Sequence, residues 1–318
     1  MLIEATNLRK EYLIPISKKS LLKCFFTKKI KKVAIENISL KINKGEIVGY
    51  IGLNGAGKST TIKLLTGIIS PTSGSVRING KDPFKNRMDN AKMISVMFGQ
   101  RSQLIWDLPV YRSFDFLLAL YKVDKNNNKD YLKELYSTLN IAELFNIPVR
   151  LLSLGQRMRC EFCSILLHKP QIIYLDEPTM GMDVLLRADF KLLIKQINKE
   201  LSTTILFTSH DLNEIEEVCE RIIIIDKGTI LFDGTIQELK LKYQIKKKVV
   251  LEFYKPTSLD EFNLNEIEKN SDTRHIYCLN SCSDNIIESI NQINSKYPVS
   301  NVEIIDGKLE DIVKKIYR

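Results

Sequence analysis

The sequence predicts an α/β fold built on a mostly parallel sheet, with an antiparallel portion near the N-terminus and a small α+β domain at the C-terminal end. Three observations predict it. Residues Gly52 to Ser59 complete a G-x-x-x-x-G-K-S loop between an apolar run, Ile47–Ile51, and a helical pattern, Thr60–Leu65. Downstream, the strand patterns Ile172–Leu175, Thr203–Thr208 and Arg221–Asp226 alternate with the helical patterns Val184–Leu201 and Leu212–Cys219. Beyond Tyr243 the alternation weakens into short strands and helices that read as a separate unit.

In chain order, Leu2–Ala5 reads as a first strand and Val33–Ile42, with Ile38, Leu40 and Ile42 alternating, as a second. Gly45 and Glu46 turn the chain into the apolar strand before the glycine-rich loop, and Ser70–Gly74 turns it into the short strand Ser75–Ile78. Ile94–Phe98 is a further strand. From Trp106 to Leu151 the period becomes helical, with Phe114, Leu117, Leu118 and Tyr121 on one face and Leu132, Leu135 and Leu139 on another. That stretch predicts a helical subdomain of about residues 101–165, inserted into a domain spanning 1–240 and closed by a helix over Gly155–Leu167. Ile172–Leu175 lacks polar alternation, as suits a parallel strand buried on both faces. Residues 247–318 form the small domain: strands Val249–Phe253, Ile276–Leu279 and Val302–Ile305, and helices over Asp284–Tyr297 and from Lys308.

Composition narrows the class. A chain of 318 residues with 44% apolar residues has material for a proper core. No stretch approaches the roughly eighteen apolar residues of a membrane span, and Glu4 stands where a signal peptide would be basic then apolar, so a cytoplasmic protein, soluble or peripheral, is expected. Cys160 and Cys163 lie in a helical pattern with no second pair at zinc spacing, which predicts buried free thiols. Much of the net charge of +9 gathers in residues 17–32, where seven lysines and no acid interleave with Leu21, Leu22, Phe25 and Phe26. Such a segment suits either a solvated insertion between strands or contact with an anionic membrane surface. No nucleic-acid recognition fold accompanies the charge, so nucleic acid is not an expected partner.

The glycine-rich loop carries chemistry because a polyphosphate must be wrapped by backbone N–H groups at close range. Gly52, Gly55 and Gly57 permit that approach, and Leu53, Asn54, Ala56 and Thr60 complete the cradle. Lys58 is placed to reach the β and γ phosphates, Ser59 offers a hydroxyl to Mg²⁺, and the next helix directs its positive end at the anion. The strand Ile172–Leu175 delivers Asp176 and Glu177 together at its C-terminal end, Asp176 toward Mg²⁺ and Glu177 toward an attacking water. Ser153, Gly155 and Gln156 open a helix where a further phosphate could dock.

Taken together, these motifs resemble the ATP-binding subunit of an ABC transporter over residues 1 to about 240. The resemblance implies a P-loop NTPase fold of the ABC type, with a mixed sheet and an inserted helical subdomain, that binds and hydrolyses ATP with Mg²⁺. Leu152–Gln156 resembles the signature motif, with Leu154 where glycine is usual, and implies a head-to-tail pair of ATP-binding subunits, identical or different. By the same likeness Gln100 is the glutamine that touches Mg²⁺ and senses the permease, and His210 the histidine that contacts the γ phosphate and orients Glu177. Asp183, after Gly181 and Met182, crosses between subunits, and Tyr12 stacks on adenine. Residues 96–109 and 154–159 resemble the branch that energises exporters of drug-like or cationic compounds through ABC-2-type permeases. That implies a peripheral location on the inner face of the cell membrane. Two alternatives belong to other classes: a soluble ABC ATPase acting as an interaction factor, and a regulator that binds ATP without hydrolysing it.

Overall fold

The computed structural model describes residues 1–15, 29–98, 102–243, 247–255, 257, 266–271, 274–279, 286–305 and 309–317. The chain divides into two compact units, Met1–Gly234 and Thr235–Arg318. Gln100, and Leu21, Leu22, Phe25 and Phe26 of the basic segment, lie outside the described residues.

The first unit runs β1 (Ile3–Pro15), β2 (Lys29–Ile42), β3 (Ile47–Gly52), α1 (Lys58–Leu65), β4 (Ser73–Ile78), α2 (Arg87–Met93), β5 (Ile94–Phe98), α3 (Val110–Leu120), α4 (Lys129–Thr138), α5 (Leu154–Leu166), β6 (Ile172–Asp176), α6 (Val184–Leu201), β7 (Thr204–Thr208), α7 (Leu212–Val218), β8 (Arg221–Asp226) and β9 (Thr229–Thr235). Among the described residues these strands form one nine-stranded sheet in the order β4-β1-β2-β9-β8-β3-β7-β6-β5. Strands β8, β3, β7, β6 and β5 run parallel, while β1 pairs antiparallel with β2 and β4. Every residue of β7 is buried, as are the central four of β3 and β8, which explains why these strands read as unbroken apolar runs. One cluster, including Ile3, Leu8, Ile38, Tyr50, Ile62, Tyr174 and Ile223, joins the antiparallel portion to the parallel strands.

The first strand is longer than its sequence suggests. Tyr12 pairs with Lys32 and Pro15 with Lys29, so the hairpin arms continue well past Ala5. Lys29 to Lys32, grouped by composition with the basic insertion, belong to β2. Lysine is a poor strand former in isolation, and here the cross-strand ladder outweighs that preference. Strand β9 and helix α2 were also hidden. Helix α2 is short and buries only Asn90, and β9 alternates half-buried with exposed residues, so neither offers a strong apolar period.

In the helical subdomain, α3 buries Phe114, Leu117 and Leu118. The Phe114 ring lies 5.9 Å from Tyr136 of α4 and 6.0 Å, edge-on, from Phe145. Tyr121, the C-cap of α3, is half-buried and stacks at 3.8 Å on His168. Cys160 and Cys163 are free, buried thiols on α5, as expected, and burial pushes the Cys160 thiol up to about 12.

The second unit contains α8 (Ile236–Lys242), β10 (Lys247–Phe253), β11 (Glu266–Ser271), β12 (Arg274–Leu279), α9 (Ile286–Lys296), β13 (Val299–Ile305) and α10 (Leu309–Ile316). Its strands make an antiparallel sheet in the order β11-β12-β10-β13. Val249, Leu251 and Phe253 of β10 pack with Ile293 of α9, and α10 buries Leu309, Ile312 and Val313 along one stripe. Helix α8 opens with a reciprocal cap between Thr235 and Glu238. No helix among the described residues is long and apolar enough to cross a membrane.

Because Phe114 is 1% exposed and ties three segments of the subdomain, Phe114→Ala is expected to lower stability by about 3–5 kcal/mol. A thermal or denaturant unfolding curve of the full chain checks this, and an unchanged midpoint would contradict the packing described.

Candidate nucleotide site

Parallel register brings the chemistry to one edge of the sheet. Asp176, the last residue of β6, pairs with Thr208, the last of β7, and β3 on the far side of β7 ends at Gly52. Loops leaving the carboxyl ends of neighbouring parallel strands must face the same crevice. Here that crevice is a cleft of about 840 Å³ whose lining includes Tyr12, Asn54, Gly55, Lys58, Asp176 and Glu177.

The glycine-rich loop is shaped by its surroundings as well as by its own residues. Gly57 caps α1 with φ +113°, and a Cβ there would lie 2.9 Å from the carbonyl of Ala34. Gly228, in the turn between β8 and β9, donates its N–H to Ala56 O at 2.9 Å and accepts from Glu36 N and Asn37 N at 3.0 Å. A Cβ on Gly228 would stand 2.6 Å from Glu36 N, so this turn braces the loop only as glycine. Lys58 Nζ donates to Gly52 O at 2.5 Å, which holds the ammonium across the loop's mouth.

Asp176 sits between two hydroxyls: Ser59 Oγ donates to Oδ2 at 3.2 Å and Thr208 Oγ1 to Oδ1 at 2.9 Å. Glu177 N donates to Thr208 O at 3.2 Å and to Thr208 Oγ1 at 3.1 Å. These bonds hold Glu177 at φ +54°, a left-handed conformation costing a non-glycine residue about 1–2 kcal/mol. The turned backbone aims the carboxylate at the loop between β7 and α7, where His210 N and Nδ1 approach Glu177 Oε2 at 3.3 and 2.5 Å. Thr208 therefore organises both acids. Sequence reasoning assigned it no role, although a threonine closing an apolar strand opposite Asp176 is the signal that marks it.

Among the described residues there is no cluster of three or more His, Cys, Asp or Glu side chains suited to a metal. Ser59 and Asp176 nevertheless fit Mg²⁺, which keeps several waters and takes one or two protein oxygens beside those of a substrate phosphate. The segment after Gln100 is anchored through α5: the Ser102 hydroxyl donates to Glu161, and Gln103 N donates to Glu161 Oε2 at 3.0 Å. Burial pushes the Glu161 carboxyl upward.

The remaining expected residues lie elsewhere. Ser153, Gly155, Gln156 and Asp183 line a second cavity of about 800 Å³, with Arg159, and share no lining residue with the first. Ser153 is the N-cap of α5; its Oγ accepts from Gln156 N at 3.3 Å and its own N–H donates to Gln156 Oε1 at 3.0 Å. The hydroxyl accepts in this cap, so its proton can be donated outward. Gly155 faces Leu186, whose Cδ2 would lie 2.5 Å from an added Cβ, so it also permits close packing of α5 on α6. Asp183 caps α6 by accepting from Leu186 N at 2.9 Å, beside the exposed side chains of Met180, Val184 and Leu185. One polypeptide thus brings Lys58, Ser59, Asp176, Glu177 and His210 together and holds Ser153, Gly155 and Asp183 apart from them.

Comparison with known proteins identifies relatives of this chain. The model for the ABC transporter family matches residues 35–180. The ABC transporter ATP-binding protein NatA of Bacillus subtilis (strain 168) is 31% identical over 212 residues, which cover 67% of this chain and 85% of that protein. The methionine import ATP-binding protein MetN of Halalkalibacterium halodurans is 30% identical over 260 residues, covering 80% of this chain and 76% of that one. Among solved structures, cbiO1 from Clostridium perfringens, part of the ABC transporter complex cbiONQ, superposes with a TM-score of 0.64 at 23% identity, over 76% of this chain and 91% of that one. With the glycine-rich loop, the paired acids and His210 meeting at one sheet edge, and with a relative matched along most of its length, the chain belongs to the family of ABC transporter ATP-binding proteins.

Proposed function

We propose that this chain powers an exporter: it closes as a pair around two MgATP and drives separate ABC-2-type membrane subunits that carry a drug-like or cationic small molecule outward. The coarser statements come with the family. ABC transporter ATP-binding domains are ATPases that bind ATP, generally with Mg²⁺, dimerise, and work with membrane permease subunits. The export branch is supported by the likeness of residues 96–109 and 154–159 to exporter subunits. An import reading is favoured by the relatives named as methionine import proteins, MetN among them. In either case the chain is stationed at the inner face of the membrane by its partner.

The observation that carries the residue assignments is the run of contacts from Ser59 through Asp176 and Thr208 to Glu177 and His210. In this reading backbone N–H groups of Gly52, Leu53, Asn54, Gly55, Ala56, Gly57 and Thr60 wrap the phosphates, and Lys58 neutralises the β and γ groups. Ser59, Asp176 and Gln100 would hold Mg²⁺, which would supply positive charge against the phosphates. Tyr12 offers its ring to adenine. Glu177 accepts a proton from water as that water's oxygen bonds to the γ phosphorus; the bond to the β–γ bridging oxygen breaks and ADP leaves with the electron pair. His210 orients Glu177 and reaches the γ phosphate. Ser153, Gly155, Gln156 and Asp183 serve the nucleotide of the facing subunit, a division supported by their separate cavity. Since one chain carries both halves, a homodimer is the simplest pair, and a heterodimer with a related subunit is the alternative.

Glu177→Gln is expected to retain ATP binding while cutting turnover by about 10²–10⁴-fold, and to leave an ATP-dependent dimer on size exclusion. Parental steady-state hydrolysis by that variant would remove Glu177 as the base. Lys58→Ala should weaken ATP binding about 10- to 100-fold in a calorimetric titration, the worth of a charge-assisted contact, and unchanged affinity would contradict its phosphate role. For direction, ATP-driven accumulation of a cationic dye inside inverted membrane vesicles containing the subunit and its permease is expected; ATP-driven loss of dye from loaded inverted vesicles would favour import.

A further inference from the structure

Beneath the hydrolysis centre lies a buried carboxylate that the mechanism above does not use. Glu214, on α7, is 2% exposed. Its Oε2 accepts two hydroxyl hydrogens, from Thr179 Oγ1 and from Ser209 Oγ, both at 2.7 Å. Thr179 stands two residues after Glu177 and Ser209 immediately before His210, so a single oxygen joins the loops that carry the two groups. The other oxygen, Oε1, faces Arg187 Nη1 at 3.7 Å, an ionic contact too long for a hydrogen bond. Arg187 in turn donates Nε to Met182 O at 3.0 Å and lies 3.5 Å from Asp211. Ser209 Oγ also accepts from Asp211 N at 3.0 Å, which closes the network around His210.

We infer that Glu214 is a positioning residue: it locks the Glu177 and His210 loops into one arrangement and, through Arg187, couples them to the 180–183 segment that leads to Asp183. The physical case rests on burial and economy. A carboxylate removed from water is stable only where its oxygens are met by donors, and both donors to Oε2 here come from the flanks of the proposed catalytic pair. His210 is exposed and Glu177 is held in a strained backbone, so neither is fixed by packing on its own. Movement of Met182, which is bonded to Arg187, is transmitted to Glu214 and from there to both loops. A displacement of the 180–183 segment on pairing of subunits therefore reaches the hydrolysis centre through one ionic contact, Arg187 to Glu214, flanked by hydrogen bonds on either side.

This inference rests on the assignment of Glu177 and His210 above, and its test separates the two. Thr179→Val, nearly isosteric but without the hydroxyl, and Glu214→Gln are introduced into the full chain, with Thr179→Ser as the conservative control. The expected result is a roughly 10- to 100-fold fall in kcat for both with KM for ATP held within about twofold, and parental kcat for Thr179→Ser. In a His210→Ala background, adding Glu214→Gln should cost single-turnover hydrolysis less than it costs the parental chain, because the part of its effect that runs through His210 is already lost. Parental kcat in folded Thr179→Val, or multiplicative losses in the double variant, overturns the inference, and Thr179→Val decides the matter if Glu214→Gln does not fold. If Glu177→Gln itself hydrolyses normally, it is the underlying assignment that fails.

Discussion

Asp176 is clasped from both sides by hydroxyls, and the rest of the nucleotide site is arranged around that clasp. Ser59 reaches it from the start of α1 and Thr208 from the end of β7, so the distance between the glycine-rich loop and the loop after β7 is set by one carboxylate. The clasp is possible only because β6 and β7 run in parallel register, Asp176 opposite Thr208, with β3 beside them. A slip of one residue would turn the acid to the opposite face of the sheet. Close packing of the differently shaped side chains along these buried strands resists such a slip, and this is how a hydrophobic core comes to specify polar chemistry at its rim.

Much of this was legible in the sequence for reasons that differ from residue to residue. The loop Gly52 to Ser59 and the pair Asp176 and Glu177 are local: their chemistry is written in adjacent residues, and the apolar runs before them announce the strands. His210 was readable only as one position in a family series, since a histidine at a strand end carries no signal alone. What stayed hidden depends on contacts distant in sequence. Gly228 braces the phosphate loop from beyond β8, Thr208 serves two acids across a strand gap, and Glu214 is polar, helical and wholly buried, a combination that no period reveals. The extension of β1 to Pro15 was missed because its partner strand is rich in lysine, so ladder pairing decided an outcome that propensity opposed.

Glu177 illustrates how a fold holds a residue where it would not otherwise rest. Its positive φ is maintained by two bonds from its own N–H to Thr208, and its carboxylate meets the backbone and ring of His210. Strain of this kind persists only when the surroundings over-determine it. Thr208, Ser209 and Glu214 supply that surplus of constraint, and all three are buried while His210 between them and solvent is not. Rigidity lies beneath the site and freedom above it.

The reciprocal cap between Ser153 and Gln156 bears on how two copies would recognise one another. Because the first turn of α5 is already tied by its own side chains, its torsional disorder is gone before any encounter takes place. Docking through this edge would then sacrifice chiefly whole-body translation and tumbling, and Met180, Val184 and Leu185 stand exposed beside Asp183. A preset edge of this sort lowers the entropic cost of pairing and so strengthens whatever contact it makes.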